Sequence, residues 1–394
     1  MDYETILNRQ FVMTDTGRID RVKDLYTTFN PEVDLEALKK GGFLEALNEM
    51  MEPVLMDLDD HSPAVLAYWA KRGMVKEFHG RDKPMSWSEY EMKTGYHWRE
   101  PEGGAPQNRT KGWNAFVPVS AFAPENKDRL YPAVVMLHGG FNPVSIVDGW
   151  GFPQEAARRE WIVIAPALEL DDLLDEVLAE AMALYPIDPE RIYIAGFSYG
   201  GFMTNTIACK RPDVYAAAAP CGAPLSSGWV GEAIGGEPQT PFDGVYRGKS
   251  YMPLMNVIGN LDGHRFPYYD YQGFMHFQDG PEALVEGLNH WARVNGAPEV
   301  LLETVMALKG REGLSPEERN IGLPLAPDCR RTVVADGVTN YIADLKSADG
   351  IVRVRVMCEM NMPHWPTPEM VRQIFDFFSH FSRDRETGES IYTP

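Results

Sequence analysis

Ten residues, Ala195–Thr204, AGFSYGGFMT, decide how this chain is read. A serine stands between glycines in the pattern G-x-S-x-G. Upstream, RIYIAG is an apolar, strand-like run that stops at Gly196. Downstream, GGFMTNTIACK reads as a helix from about Gly200. A serine in so sharp a strand-to-helix turn has a strained backbone that lifts its hydroxyl above the sheet, and the glycines leave room for neighbouring elements. Ser198 is therefore read as a nucleophile. A five-residue pattern also arises by chance; the strand before it, the helix after it and the extra Gly201 separate this one from a chance match.

From Gly112 onward, short apolar runs alternate with helical stretches. WNAFVPVSAF, YPAVVMLHGG and EWIVIAPAL are strand candidates, followed by the helix DDLLDEVLAEAMALY. After the serine come the strands VYAAAAPCG and PLMNVIGN, the helix PEALVEGLNHWARV, the strand IVRVRVMC and the helix EMVRQIFDFFSHF. Apolar runs without clean alternation belong to strands buried on both faces. Strands and helices taking turns predict an α/β protein whose mostly parallel sheet has helices on both faces. Active sites in such sheets form at the carboxyl ends of the strands. The first ~75 residues carry Leu35, Leu38, Leu44, Leu47 and Met51 at helical spacing. Ser62-Pro63 is a good cap for a further helix with Val65, Leu66 and Trp69 on its apolar side.

A serine hydroxyl needs a base, and the base needs a third group to hold its tautomer. In this type of fold the chain order is serine, acid, histidine. His364 follows the last strand and precedes the last helix, where a base can reach Ser198. His264 is the rival. His290 and His380 lie in amphipathic helices and are read as packing or surface residues; His276 lies in an aromatic loop. Asp262, just past PLMNVIGN, is the candidate acid, with Asp270 as the fallback. Asp262 also fits the capping of an Asp-Gly turn. The oxyanion of a tetrahedral intermediate takes the N–H of Tyr199 and a second donor from LHGG, Gly140 or else Gly139. His138 is read as a brace for that loop.

Composition bounds the rest. The chain has 394 residues, 44% hydrophobic and 24% charged, as expected of a globular protein with a full core. It holds 57 Asp and Glu against 37 Lys and Arg, a formal charge of −20. A surface that negative repels phosphate backbones and anionic lipid, which argues against nucleic acid and membrane as partners. No apolar run approaches the ~18 residues of a spanning helix. The start, MDYETILNRQ, has no basic segment followed by an apolar one, so no secretion signal is expected. Cys209, Cys221, Cys329 and Cys358 are scattered without C-x-x-C spacing and read as reduced core thiols of a cytoplasmic protein. A Cys329–Cys358 disulfide is the alternative for an exported one.

The stretch YPIDPERIYIAGFSYGGFMTNTIACKRPDVYAAAAPCG, together with YPAVVMLHGG, PHWP and IFDFF, resembles the α/β-hydrolase superfamily. Within it the chain is similar to the branch of polyhydroxybutyrate depolymerases and feruloyl and acetylxylan esterases. The resemblance covers some 250–280 residues, from about 112 onward. It implies the nucleophile at Ser198, the acid at Asp262 and the base at His364; a small-molecule ester is the expected substrate, and no metal or organic cofactor is expected. That branch usually has glycine before its histidine, whereas Pro363 stands here and Trp365-Pro366 follow directly. GFSYGGFMT followed by RPDVYAAAAP also resembles the catalytic domain of the prolyl oligopeptidase family. Esterase is thus the first reading. A peptidase or amidase of small peptides is the second, and a catalytically inactive binding protein with the same fold is the third.

The expected organisation is a mostly helical extension at 1–111 and a catalytic α/β-hydrolase domain at 112–394, with insertions near 223–250 and 265–345. The extension is read as a cap over the site or as the contact of a homo-oligomer. The charged stretch KGREGLSPEERN reads as a surface insertion. Aromatic residues near the site, Trp229, Phe266, Tyr268 and Trp365, are the candidate substrate contacts. They suit a flat or aromatic acyl group.

Overall fold

The computed structural model describes residues 33–56, 61–80, 112–139, 144–167, 171–225, 250–263, 266–271 and 280–394. Five strands carry the fold toward the serine and past it: β3 (Tyr131–Leu137), β4 (Ile162–Pro166), β5 (Ile187–Phe197), β6 (Ala218–Cys221) and β7 (Leu254–Gly259). With β10 (Val352–Glu359) they form a six-stranded parallel block in the order β4-β3-β5-β6-β7-β10. Their side chains alternate between two apolar cores. Val134 and Met136 face one, Val135 and Leu137 the other. This two-sided burial is why the strands show no polar face in the sequence.

Helices cover both faces. One face carries α4 (Phe152–Arg159) and α10 (Pro368–Ser379). The other carries α5 (Asp171–Leu184), α6 (Tyr199–Lys210) and α7 (Pro281–Val294). In α10 the apolar residues Met370, Val371, Ile374, Phe375, Phe377 and Phe378 are all buried, and Thr367 caps it by accepting from Met370 N at 3.0 Å. α10 and α7 bury one stripe each, whereas α6 is buried from Gly200 to Cys209; each gains its stability mainly from that burial. Among the described residues no helix is long and apolar enough to cross a membrane.

The sheet reaches further than the sequence boundary at 112 implied. β1 (Met74–His79) pairs antiparallel with β2 (Trp113–Pro118), and β2 pairs antiparallel with β4. The strand escaped notice because MVKEFH carries a lysine on its inward side: Met74 and Lys76 are both buried. At the far edge, β8 (Arg330–Ala335) and β9 (Val338–Lys346) form a hairpin that pairs with β10. Its turn is Asp336-Gly337, both at positive φ (51° and 78°), the conformation that favours Asp-Gly in a two-residue hairpin. Alternating residues around an Asp-Gly pair were the available signal. KGREGLSPEERN, expected at the surface, is exposed over most of its length; it follows the short helix α8 (Leu302–Met306), runs into α9 (Pro316–Ile321), capped by Ser315 and Glu318, and seats Leu314 and Glu317 in the interior.

The N-terminal helices α1 (Leu35–Gly41), α2 (Phe43–Met56) and α3 (Pro63–Lys71) are packed onto this sheet. Leu38, Phe43, Leu44, Leu47, Val65 and Trp69 lie in the same core as Val134, Trp150 and Phe375. Their apolar stripe is thus buried within the chain itself. Leu47→Ala is expected to cost about 2–5 kcal/mol of total stability in one cooperative denaturant transition. A separate early transition for the helices would show them to be an independent unit.

Candidate active site

The parallel register brings five strand ends level. Leu137 pairs with Gly196, Phe197 with Cys221, and Gly259 with Glu359. The next residues along each strand therefore emerge at one edge of the sheet. They are His138 and Gly139, Ser198, Gly222, the turn to Asp262, and the loop to His364.

Ser198 sits between β5 and α6 at φ 58°, ψ −119°, a backbone conformation that few non-glycine residues adopt. Two features hold it there. Its N–H donates to Cys221 O at 2.9 Å, and its carbonyl accepts from Gly201 N at 2.9 Å and from Phe202 N at 3.1 Å. The side chain makes no capping bond to the helix that it precedes. The flanking glycines are required by space. A Cβ on Gly196 would lie 2.2 Å from Gly200 O, and one on Gly200 would lie 2.4 Å from Leu137 O and 2.6 Å from His138 O. Those same approaches put the turn at His138 and Gly139 against the first turn of α6.

Asp262 is 1% exposed, and its Oδ2 accepts from His364 Nδ1 at 2.8 Å. A carboxylate there fixes the tautomer and turns Nε2 away from it. The two loops are joined by backbone bonds: Asn260 N donates to Glu359 O at 2.8 Å and Leu261 N to Met362 O at 2.9 Å. The imidazole lies over the end of β6, where a Cβ on Gly222 would stand 3.2 Å from its Cε1. The ring of Phe197, the residue before Ser198, is 4.8 Å from it. So the base predicted from sequence meets the predicted acid and stands beside the nucleophile turn.

Tyr199 is the first residue of α6, so its N–H belongs to the open first turn, where backbone donors and the helix dipole favour negative charge. Gly139 is buried; Gly140 lies outside the described residues. His138 braces this turn: Nδ1 is 2.8 Å from Gly139 O and Nε2 3.3 Å from Ala167 O. Among the described residues no cluster of His, Cys, Asp and Glu has the grouping of a metal site.

The remaining candidates part ways. His264, His276 and Trp229 lie outside the described residues. Asp270 is paired with Lys309 at 2.7 Å on the surface. His290 is packed 3.6 Å from Cys209 Sγ, and burial pulls its pKa down to about 4. His380 ends α10, with Nδ1 2.9 Å from Thr393 O. Trp365 is beside His364 and packs edge-on against Trp150 at 6.3 Å. Phe266 and Tyr268 correct the aromatic reading. They stack at 5.2 Å, only 3% and 0% exposed, in the core on the α5–α7 face. Rings with no open surface complete that core and have no wall to offer a substrate. All four cysteines are free thiols, so the Cys329–Cys358 bond is not formed, and burial pushes the thiols of Cys209, Cys221 and Cys358 well up.

Strand order, the strained strand-to-helix turn at Ser198 and loop placement together define the α/β-hydrolase fold. A model of the prolyl oligopeptidase family matches residues 167–226, the stretch that holds β5, the serine turn, α6 and β6. The chain is 31% identical over 167 residues to feruloyl esterase B of Piromyces equi, covering 39% of this chain and 26% of that one. It is 27% identical over 210 residues to feruloyl esterase B of Thermothelomyces thermophilus, covering 46% of this chain and 71% of that one. It is 42% identical over 71 residues to poly(3-hydroxyalkanoate) depolymerase C of Paucimonas lemoignei, 18% of this chain and 15% of that one. The chain thus spans about a quarter of the first of these relatives and less of the depolymerase. An acetyl xylan esterase structure from Aspergillus awamori aligns over 68% of this chain and 93% of its own, at 14% identity and a TM-score of 0.42.

Sequence reasoning passed over Glu359. It ends β10, is fully buried, and accepts a hydrogen bond from Thr367 Oγ1. Glu359 and Thr367 thus bracket the loop of His364. Burial raises its pKa to about 8, with the nearby Glu369 adding to the rise and the Thr367 bond opposing it. The folded protein therefore binds this proton more tightly than the unfolded chain, so stability declines as pH rises from the unfolded value near 4.5 toward 8. Glu359→Gln should flatten that decline, read as unfolding midpoints between pH 5 and 8. An unchanged slope would remove Glu359 as its source.

Proposed function

We propose that this protein is a serine hydrolase of carboxylic esters that works through an acyl-enzyme. The observation that carries the proposal is the 2.8 Å contact of His364 with buried Asp262, over the strand ends beside the strained serine turn. Ser198 Oγ attacks the ester carbonyl while His364 Nε2 takes its proton. The oxyanion is held by the N–H of Tyr199 and by Gly139 or Gly140. His364 then protonates the leaving alcohol. A water, deprotonated by His364, attacks the acyl carbon and releases the acid and Ser198. Asp262 orients the imidazole and offsets its positive charge throughout. This chemistry requires no metal or organic cofactor.

The ester preference is supported by the feruloyl esterases among the relatives, and an aromatic or small acyl group is the substrate class we assign. An amidase of small peptides is the second reading, resting on the match of residues 167–226 to the prolyl oligopeptidase family. A cytoplasmic setting belongs to the same proposal and draws support from the buried free thiols.

The test is a panel of p-nitrophenyl acetate, p-nitrophenyl butyrate, methyl ferulate and an aminoacyl anilide. Ester turnover is expected, and anilide turnover alone would move the assignment to the peptidase reading. Ser198→Ala should abolish turnover with an unchanged melting curve. Asp262→Asn should lower kcat by about 10⁴, because the imidazole loses its tautomer. Full hydrolysis by Ser198→Ala, or no fluorophosphonate labelling of folded wild type, would end the serine mechanism.

A further inference from the structure

The chain that leaves β3 returns to the core at Val144–Gly149, six residues that are all buried. Asp148 within this segment is a carboxylate only 1% exposed. Its Oδ2 accepts from Lys76 Nζ at 2.6 Å, and its Oδ1 accepts from Trp69 Nε1 at 2.8 Å. Its backbone carbonyl accepts from Gln154 Nε2 at 2.6 Å. The Lys76 side chain has no exposed surface. Lys76 comes from β1 and Trp69 from α3, so both donors belong to the N-terminal segment.

Stability alone is a poor reason for such a pair. Removing two charges from water costs about what their attraction returns, and apolar residues of the same volume often serve as well. An ion pair with a third, directional partner does impose one geometry. The consequence lies two residues on. The ring of Trp150 packs edge-on against Phe197 at 5.5 Å and against Trp365 at 6.3 Å. These two residues adjoin Ser198 and His364, and Phe197 itself touches the His364 ring at 4.8 Å. Contacts thus run without a gap from the N-terminal helix and strand to the nucleophile turn and the base.

We propose that the buried Lys76–Asp148 pair, with Trp69 as its third partner, is a positioning device that fixes Trp150 and, through it, the Ser198 turn and the His364 loop. None of the three touches a reacting atom, so they are positioning residues. The N-terminal segment then acts as a support for the site from below. The kinetic part of this inference rests on the serine-hydrolase reading; the structural part does not.

The experiment uses the full chain and two variants. Lys76→Met/Asp148→Asn removes both charges while asparagine keeps an acceptor for Trp69. Trp69→Phe keeps a ring but loses the N–H. Thermal unfolding, hydrogen exchange of peptides spanning 144–150 and 360–366, and kcat and KM on p-nitrophenyl acetate are measured. Cooperative unfolding should persist, exchange should rise in both peptides, and kcat should fall by about tenfold or more with KM changed by less than about threefold, since small misplacements act on the reacting geometry. A cooperatively folded double variant with wild-type exchange at 360–366 and wild-type kcat overturns the proposal. If the double variant does not fold, Trp69→Phe carries the same comparison. If wild type shows no turnover and no fluorophosphonate labelling, the hydrolase reading fails, and exchange at 360–366 decides the positioning: a rise supports it and no change overturns it.

Discussion

The backbone of Ser198 is held at a positive φ by the elements that meet around it. Such a conformation costs of the order of 1–3 kcal/mol and persists only where the surroundings over-determine it. Here they do. The serine's N–H is bound to the end of β6, its carbonyl is bound by the first turn of α6, and the glycines at 196 and 200 let three backbone segments meet at contact distance. The return is a hydroxyl that is not spent on capping the helix and stands at the level of the strand ends.

Parallel pairing then does the assembly. In a parallel block every strand delivers its carboxyl end to the same edge, so residues 64 and 102 positions apart, Ser198 to Asp262 and Asp262 to His364, come to one place without a long-range contact designed for each. The antiparallel additions do different work. The β8–β9 hairpin extends the sheet beyond β10, the strand that precedes the His364 loop. At the other edge, β1 brings a lysine into the interior, where it meets Asp148.

Three buried carboxyl groups lie around the site. Asp262 faces the histidine, Asp148 faces a lysine and an indole, and Glu359 faces a threonine at the cap of the following helix. Each carboxyl has a directional partner, as a buried polar group must. The first and third flank the base loop directly; the second lies beneath the rings that pack on it. Geometry at the strand ends is thus braced by hydrogen bonds as well as by packing.

The serine turn, the parallel core and the pairing of His364 with Asp262 were legible in the sequence, for local reasons. G-x-S-x-G demands its own turn, buried strands must be apolar on both faces, and chain order with strand ends narrows the histidines to His364 and the acids to Asp262. Other features depended on where the chain travels. An aromatic run says nothing of direction, so Phe266 and Tyr268 looked the same as pocket walls or as core until their burial was known. Lys76 reads as a surface residue because a lysine is buried only when a partner waits, and that partner, Asp148, lies 72 residues away. Glu359 is ordinary until β9, β7 and α10 close around it. Local patterns therefore determined the serine turn, the parallel core and the chain order of the candidate residues, because backbone sterics and hydrophobic periodicity act over a few residues. Only the tertiary structure decided which polar groups are buried together, because desolvation and pairing depend on neighbours that the chain order does not name.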